Sequence, residues 1–386
     1  MPTHDVEDAG VFSPRAANRR SDVDVLRGIA ICAVVALHTS WTLLRQAPLR
    51  EPSGEILAVV HLASGFGVPL FLGLSAIGLS LRHGQPFGSA GAYLAFLRTR
   101  AQRLLPAYVA WSLASLLLRD PALAWPPQQV ASTLLTGSAD IQFYFVPLLF
   151  QLYLLWPLLR SVSGRAGGSR QLIALGSAAA ISLLAWKRMI PTTFSALPFL
   201  AVHVVGALLL KTALLDRPER RRVAMAAAAV AAVASLVCTV RAFYGMLVPP
   251  VSPLAMAWAS FIFQPRPALY GVAAITLCFA CAAGIRPDGT RPTAPWLPRA
   301  LAALGRRSYA VYLTHLIVAS NLTRHLIAPA TVQSPNAAVA VAALAASFGV
   351  TLAASLALGA ALERHRALAW LVGAQATRRA AGVDVA

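Results

Sequence analysis

The sequence predicts an all-α, polytopic integral membrane protein with about ten transmembrane helices and both termini in the cytoplasm. Three observations carry that prediction. The chain is 58% hydrophobic and only 12% charged, against roughly 25% charged residues in a soluble domain. Its apolar residues fall in blocks of 15 to 26, and a helix of roughly 20 apolar residues crosses a hydrocarbon core of about 30 Å. Its basic residues alternate between rich and poor segments along the chain.

The blocks are rich in Ala and Leu and lack the two-residue alternation of a membrane barrel. Helices are the remaining way to satisfy the backbone in lipid. The predicted spans are 25–44, 56–81, 104–118, 141–159, 171–186, 194–210, 223–240, 268–285, 301–323 and 337–362. The third block is short and is expected to begin near Arg100. Between spans seven and eight, the apolar run 251–263 is interrupted by Pro253 and is short for a crossing. It predicts a re-entrant or interfacial segment. The organisation expected is a tail over 1–24, a transmembrane domain over 25–362 and a second tail over 363–386. The first 24 residues are polar, so the first span is expected to be an uncleaved insertion signal.

The orientation follows from charge. With the N-terminus inside, 22 of the 33 Lys and Arg residues fall on inner segments and 8 on outer ones, Arg306 and Arg307 lie near the inner start of the ninth span, and Arg27 lies within the first span. That is the positive-inside pattern. The net charge of +19 therefore points to helix orientation and anionic lipid, not to nucleic acid, for which no folded basic domain is present. Cys32, Cys238, Cys278 and Cys281 all lie in apolar blocks. Cys278 and Cys281 form C-x-x-C with no His or third Cys at ligand spacing, so small core residues and no metal site are expected.

All 14 carboxylates lie outside the spans or at their edges. Cation- and proton-coupled transporters commonly carry buried carboxylates, so a transporter or flippase for a glycan, lipid or acyl metabolite is the weaker reading. The buried ionisable groups are histidines. In the first span Asp24, Arg27 and His38 share one face. Eleven residues return a helix to within about 20° of its starting direction, and they place His38 roughly 16 Å beyond Arg27. A charge at one end and an imidazole deep inside suit the wall of a polar cavity, against the alternative of a snorkelling Arg and a structural His.

Arg100 and Arg103 form an i,i+3 pair where the third span begins. They suit a phosphate-bearing ligand through bidentate hydrogen bonds, or simple positive-inside anchoring. Ser308, Tyr312 and His315 stand at i, i+4 and i+7 and put a polar stripe on the ninth span. It suits a cavity wall or interhelical hydrogen bonds. Ser75 lies in G-L-S-A-I-G, which is not a nucleophile elbow, and is read as a packing residue. His203 is read as structural, His61 as lying near the outer edge, and His83 and His325 as solvated loop residues.

Five stretches together resemble the acyltransferase type 3 family of integral membrane proteins. They are DVDVLRGIAICAVVALH at 22–38, FGVPLFLGLSAIGLSL at 66–81, RTRAQRLLPAYV at 98–109, YFVPLLFQLYLLWPLL at 144–159 and LGRRSYAVYLTHLIV at 304–318. The resemblance runs from about Asp22 to Leu362. Ser75-Ala76 stands where the family commonly has Ser-Gly, and Tyr144-Phe145-Val146 where it has Trp-Phe-Leu. The latter is similar to the branch of exopolysaccharide O-succinyltransferases.

The resemblance implies transfer of an acetyl or similar short acyl group from cytoplasmic acyl-CoA to a hydroxyl of a carbohydrate or glycolipid acceptor, in a bacterial inner membrane. Exopolysaccharide biosynthesis machinery is an implied partner. It implies catalytic roles for His38, Asp24 and Arg27, donor contacts for Arg27, Arg100 and Arg103, and an acceptor path past Ser308, Tyr312 and His315.

Overall fold

The computed structural model describes residues 14–47, 51–83, 86–119, 125–162, 173, 176–182, 197–211, 218–247, 266–284, 296–323 and 335–373. Among the described residues all regular structure is helical. Within the described residues four stretches are long and apolar enough to cross a membrane: Val23–Leu44, Pro52–Ser80, Pro218–Arg241 and Ala337–Arg364. Phe145–Leu154 and Tyr270–Ala280 are shorter apolar helices. The run 251–263 and His325 lie outside the described residues, as do half of the fifth block and the side chain of Cys281.

Helix α1 (Pro14–Leu44) starts well before the first predicted span. Helix α2 (Pro52–Ala63) opens on a proline, whose missing N–H falls where a helix has no internal acceptor for it. One 3₁₀ turn at Ser64–Phe66 carries it into α3 (Gly67–Arg82). Helix α4 (Ala90–Arg119) contains the third block, begins ahead of Arg100 and accommodates Pro106 in its interior. Helix α5 (Pro127–Thr136) stops at Gly137, whose φ of 71° is left-handed and costs a residue without Cβ little.

Two predicted spans need correction. The fourth does not begin at 141. The chain turns until Tyr144, runs as α6 (Phe145–Leu154), breaks at Leu155 and resumes as α7 (Trp156–Val162). The break lies just ahead of Pro157, which lacks the N–H that would bond back to Tyr153 and disfavours helix before it. The ninth does not begin at 301. An amphipathic helix, α11 (Trp296–Arg306), is cut off at Arg307 (φ −100°, ψ 8°) from α12 (Ser308–Val318), and a π turn follows at Ala319–Thr323. The remaining helices are α8 (Leu200–Lys211), α9 (Pro218–Leu247), α10 (Arg266–Gly284) and α13 (Ala337–Arg364). Helix α9 extends beyond residue 240 and takes in Arg241.

Helix α1 is the hub, packed against α2, α3, α11, α12 and α13. Its neighbours alternate in direction. His61 of α2 meets the Leu37 carbonyl, whereas Gly67 of α3 lies against Ala30 and Val34, so the α2–α3 arm descends as α1 rises. Gly305 abuts Asp24 while His315 faces His38, so the α11–α12 arm rises with α1. In α13, Gly359 lies against Ala310 and Glu363 faces Arg307, near the start of α12. Its own start lies beside α2, where the Ser53 N–H donates to the Pro335 carbonyl, so α13 descends.

The core has two main parts. Leu70, Leu72, Leu74, Trp156, Val202 and Ile275 fill one, and Ile31, Val35, Phe143, Val311 and Leu313 the other. Helix α9 turns Val223, Val230, Val233 and Val237 outward. Outward valines at helical spacing on an apolar helix match a lipid-facing surface, as expected of an integral membrane protein.

Candidate active site

The α1 stripe has two ends, and each gathers partners from other helices. At the first, Arg27 Nη1 donates to Asp24 Oδ1 at 3.2 Å, one turn back along the helix. From α4, Arg100 stacks over the rings of Phe96 and Tyr153, 5.4 Å from each centroid. The Tyr153 hydroxyl lies close to Ser75 and in the field of Arg100, Arg103 and Arg27 together. Three guanidinium groups from α1 and α4 thus lie within electrostatic range of one phenol of α6, and Arg100 touches its ring. Tyr309 sits at the same end, with its hydroxyl donating to the Leu104 carbonyl at 2.9 Å and Arg103 in electrostatic range.

The approach of α1 and α11 at this end is set by two glycines. A Cβ on Gly28 would strike the Leu301 carbonyl, and one on Gly305 the Asp24 carbonyl. Small residues that let backbones touch are how membrane helices pack closely. Ser308, 8% exposed, opens α12 beside this crossing.

At the other end lies His38, 7% exposed. The His315 ring stands 5.1 Å from it, centroid to centroid, tilted by 44°. His61 is within electrostatic range of His38. Its ring stacks on Trp41 at 5.1 Å and its Nδ1 lies 3.0 Å from the Leu37 carbonyl. Tyr312, 6.1 Å from His315 between ring centroids, donates to the Gln142 carbonyl. The Gln142 side chain is buried, and neither of its polar atoms has a partner among the described residues. The π turn begins four residues past His315. Such turns recur at functional sites.

The structure therefore divides the predicted residues into two groups along α1. Asp24, Arg27, Arg100 and Arg103 gather at one end with Ser308 nearby. His38, His315 and Tyr312 gather at the other. The polar stripe of α12 spans both.

Sequence reasoning missed Tyr153 and Gln142, and it assigned Ser75 to packing. A lone Tyr or Gln in an apolar block has no periodic polar neighbour to reveal it. His83 is corrected: it is not a solvated loop residue but sits in an aromatic nest, edge-on to Phe96 at 4.8 Å and stacked with Phe87 at 5.9 Å. His203 is fully buried with its ring edge-on to Trp156. Among the described residues no three His, Cys, Asp or Glu side chains could hold a metal ion.

A family model described as an acyltransferase domain matches residues 20–358. That interval contains both ends of the site. No curated protein and no solved structure matches the chain.

Proposed function

We propose, given that the chain belongs to the acyltransferase type 3 family, that this membrane acyltransferase moves an acetyl or similar short acyl group from cytoplasmic acyl-CoA to a hydroxyl of a carbohydrate or glycolipid acceptor. The observation that carries the reading is the gathering of three arginines at one end of α1 and a buried histidine pair at the other. Coenzyme A is a polyanion with a reactive thioester at the far end of a long arm. Its phosphates suit Arg27, Arg100 and Arg103, through charge-assisted hydrogen bonds. Its arm suits the interval of roughly 16 Å from Arg27 to His38.

The chemistry proposed at the far end is general base catalysis. His38 takes the proton of the acceptor hydroxyl as its oxygen attacks the thioester carbon. The C–S bond breaks, and the proton is returned from the imidazole to the leaving thiolate. Asp24 holds Arg27 in place for the donor. The cytoplasm is assigned to the arginine end because the donor is made there and the basic segments favour that side. A glycan-assembly machinery in a bacterial inner membrane remains the context in which such an acceptor would be met.

The test is transfer of label from radiolabelled acetyl- and succinyl-CoA by the full chain in nanodiscs, with carbohydrate acceptors supplied. Consumption of a donor above protein-free nanodiscs supports the reading. No binding or consumption of any acyl-CoA rejects it in favour of transport, to be followed by uptake assays. In the same assay Arg100→Ala should raise KM for acyl-CoA by roughly tenfold with little change in kcat, as loss of about 1.5 kcal/mol of charge-assisted contact implies. Arg103 is more exposed, so Arg103→Ala should cost less. Neither substitution should change the KM of S-acetylpantetheine, which has no phosphate. A kcat effect on both donors would place these arginines near the thioester instead.

A further inference from the structure

We infer that His315 is a positioning residue that sets the tautomer of His38 and so presents one bare nitrogen of His38 as the base. This rests on the acyltransferase reading and assigns His315 to the base rather than to the acceptor path. The ring of His315 is locked from its own helix. Its Nδ1 lies 3.1 Å from the Val311 carbonyl and 2.8 Å from the Tyr312 carbonyl. Carbonyl oxygens only accept, so Nδ1 carries the hydrogen. In the neutral ring Nε2 is then a bare acceptor. That atom is buried and has no partner among the described residues.

A buried acceptor without a donor is costly. Its neighbour is the His38 ring at 5.1 Å, and no carboxylate among the described residues acts on either imidazole. A small rotation of the rings joins an N–H of His38 to Nε2 of His315. The order of donors is then determined along the whole chain. The carbonyls of Val311 and Tyr312 take the His315 Nδ1 hydrogen, His315 Nε2 takes one His38 hydrogen, and the second His38 nitrogen has only its lone pair. That lone pair receives the acceptor's proton while the oxygen–carbon bond forms, and gives it to the departing sulfur. No net proton is gained or lost by the pair. The parallel course of α1 and the α11–α12 arm brings the two rings to one level.

The experiment compares His315→Leu and His315→Gln with the wild-type chain in nanodiscs, using radiolabelled acetyl-CoA with water and with hydroxylamine as acceptors. Hydroxylamine attacks thioesters without a general base. His315→Leu should lower kcat for hydrolysis by roughly 30-fold, with KM for acetyl-CoA within about twofold and hydroxylamine transfer nearly unchanged. Gln can accept the same His38 hydrogen through Oε1, so His315→Gln should recover most of the hydrolysis. Hydrolysis at the wild-type rate in His315→Leu, or equal losses in the two variants, overturns the assignment. Nitrogen-15 spectra of histidine-labelled protein test it without a variant that might misfold. A His315 protonated at Nε2 overturns the assignment, and one protonated at Nδ1 supports it. A wild-type chain inert with acetyl-CoA in both acceptors, yet showing the Nδ1 tautomer, counts against the acyltransferase reading and not against the positioning geometry.

Discussion

His38→Ala is expected to reduce acyl-CoA turnover by about 10²- to 10⁴-fold, the usual worth of a general base, while the protein remains inserted and folded. The structure gives reasons for both halves. His38 is buried at the end of the α1 stripe away from the arginines, so removing its imidazole leaves the Asp24–Arg27 pair and the α4 arginines in place. KM for the donor should therefore change little, and the loss should sit in kcat. The main local hydrogen bond at this turn, from Thr42 Oγ1 to the His38 carbonyl at 2.9 Å, uses the backbone and survives the substitution. Alanine is also the better helix former. The check is donor consumption by His38→Ala beside wild type, each shown by size-exclusion chromatography to be monodisperse in nanodiscs. Loss of yield with no active fraction would point to a structural histidine. Full activity in a well-folded variant would place the base elsewhere.

The parts of this site that were legible in the sequence are those that repeat along one helix. Asp24, Arg27 and His38 fall on one stripe because a helix returns nearly to its starting direction after eleven residues, and no other helix is needed to read that. Arg100 with Arg103, and Tyr312 with His315, are visible for the same reason. What joins the helices was not legible. Tyr153 and Ser75 are each an isolated polar residue in an apolar run, and only the packing of α3 against α6 brings their hydroxyls together. The meeting of His38 with His315 likewise depends on α1 and α12 running in the same direction.

Span boundaries failed in an instructive way. Hydropathy over 301–323 sees one apolar block and is blind to a single-residue change of backbone at Arg307. The break at Leu155 did carry a signal, the Trp156-Pro157 pair, but a composition window weighs proline as one residue among twenty. The match over residues 20–358 supports the family resemblance read from the five stretches. It does so without naming the acyl group, because donor and acceptor specificity depend on cavity shape between helices.

The close crossing of α1 and α11 predicts the largest stability effects. A Cβ on Gly305 would meet the Asp24 carbonyl and come within 2.9 Å of the Gly28 nitrogen, and a Cβ on Gly28 would meet the Leu301 carbonyl. The obstacles are backbone atoms, so a rotamer change cannot relieve them, and the helices must separate. Gly28→Ala and Gly305→Ala should each destabilise by about 1–3 kcal/mol, as overpacking does. Their combination should cost less than the sum, because one separation makes room for both methyl groups. Separation would also displace the Asp24–Arg27 pair from Arg100, so KM for acyl-CoA should rise in both variants. Gly78→Ala is the control. Nothing lies within 4 Å of its added Cβ, and the change should be neutral or stabilising by up to about 1 kcal/mol through helix propensity. Thermal unfolding of the four variants in one detergent checks the set. Additive losses at Gly28 and Gly305 would mean that the two glycines occupy independent contacts. A Gly305→Ala chain as stable as Gly78→Ala would show that α11 does not rest on α1 at Asp24 and Gly28, and the arginine end would then need another anchor.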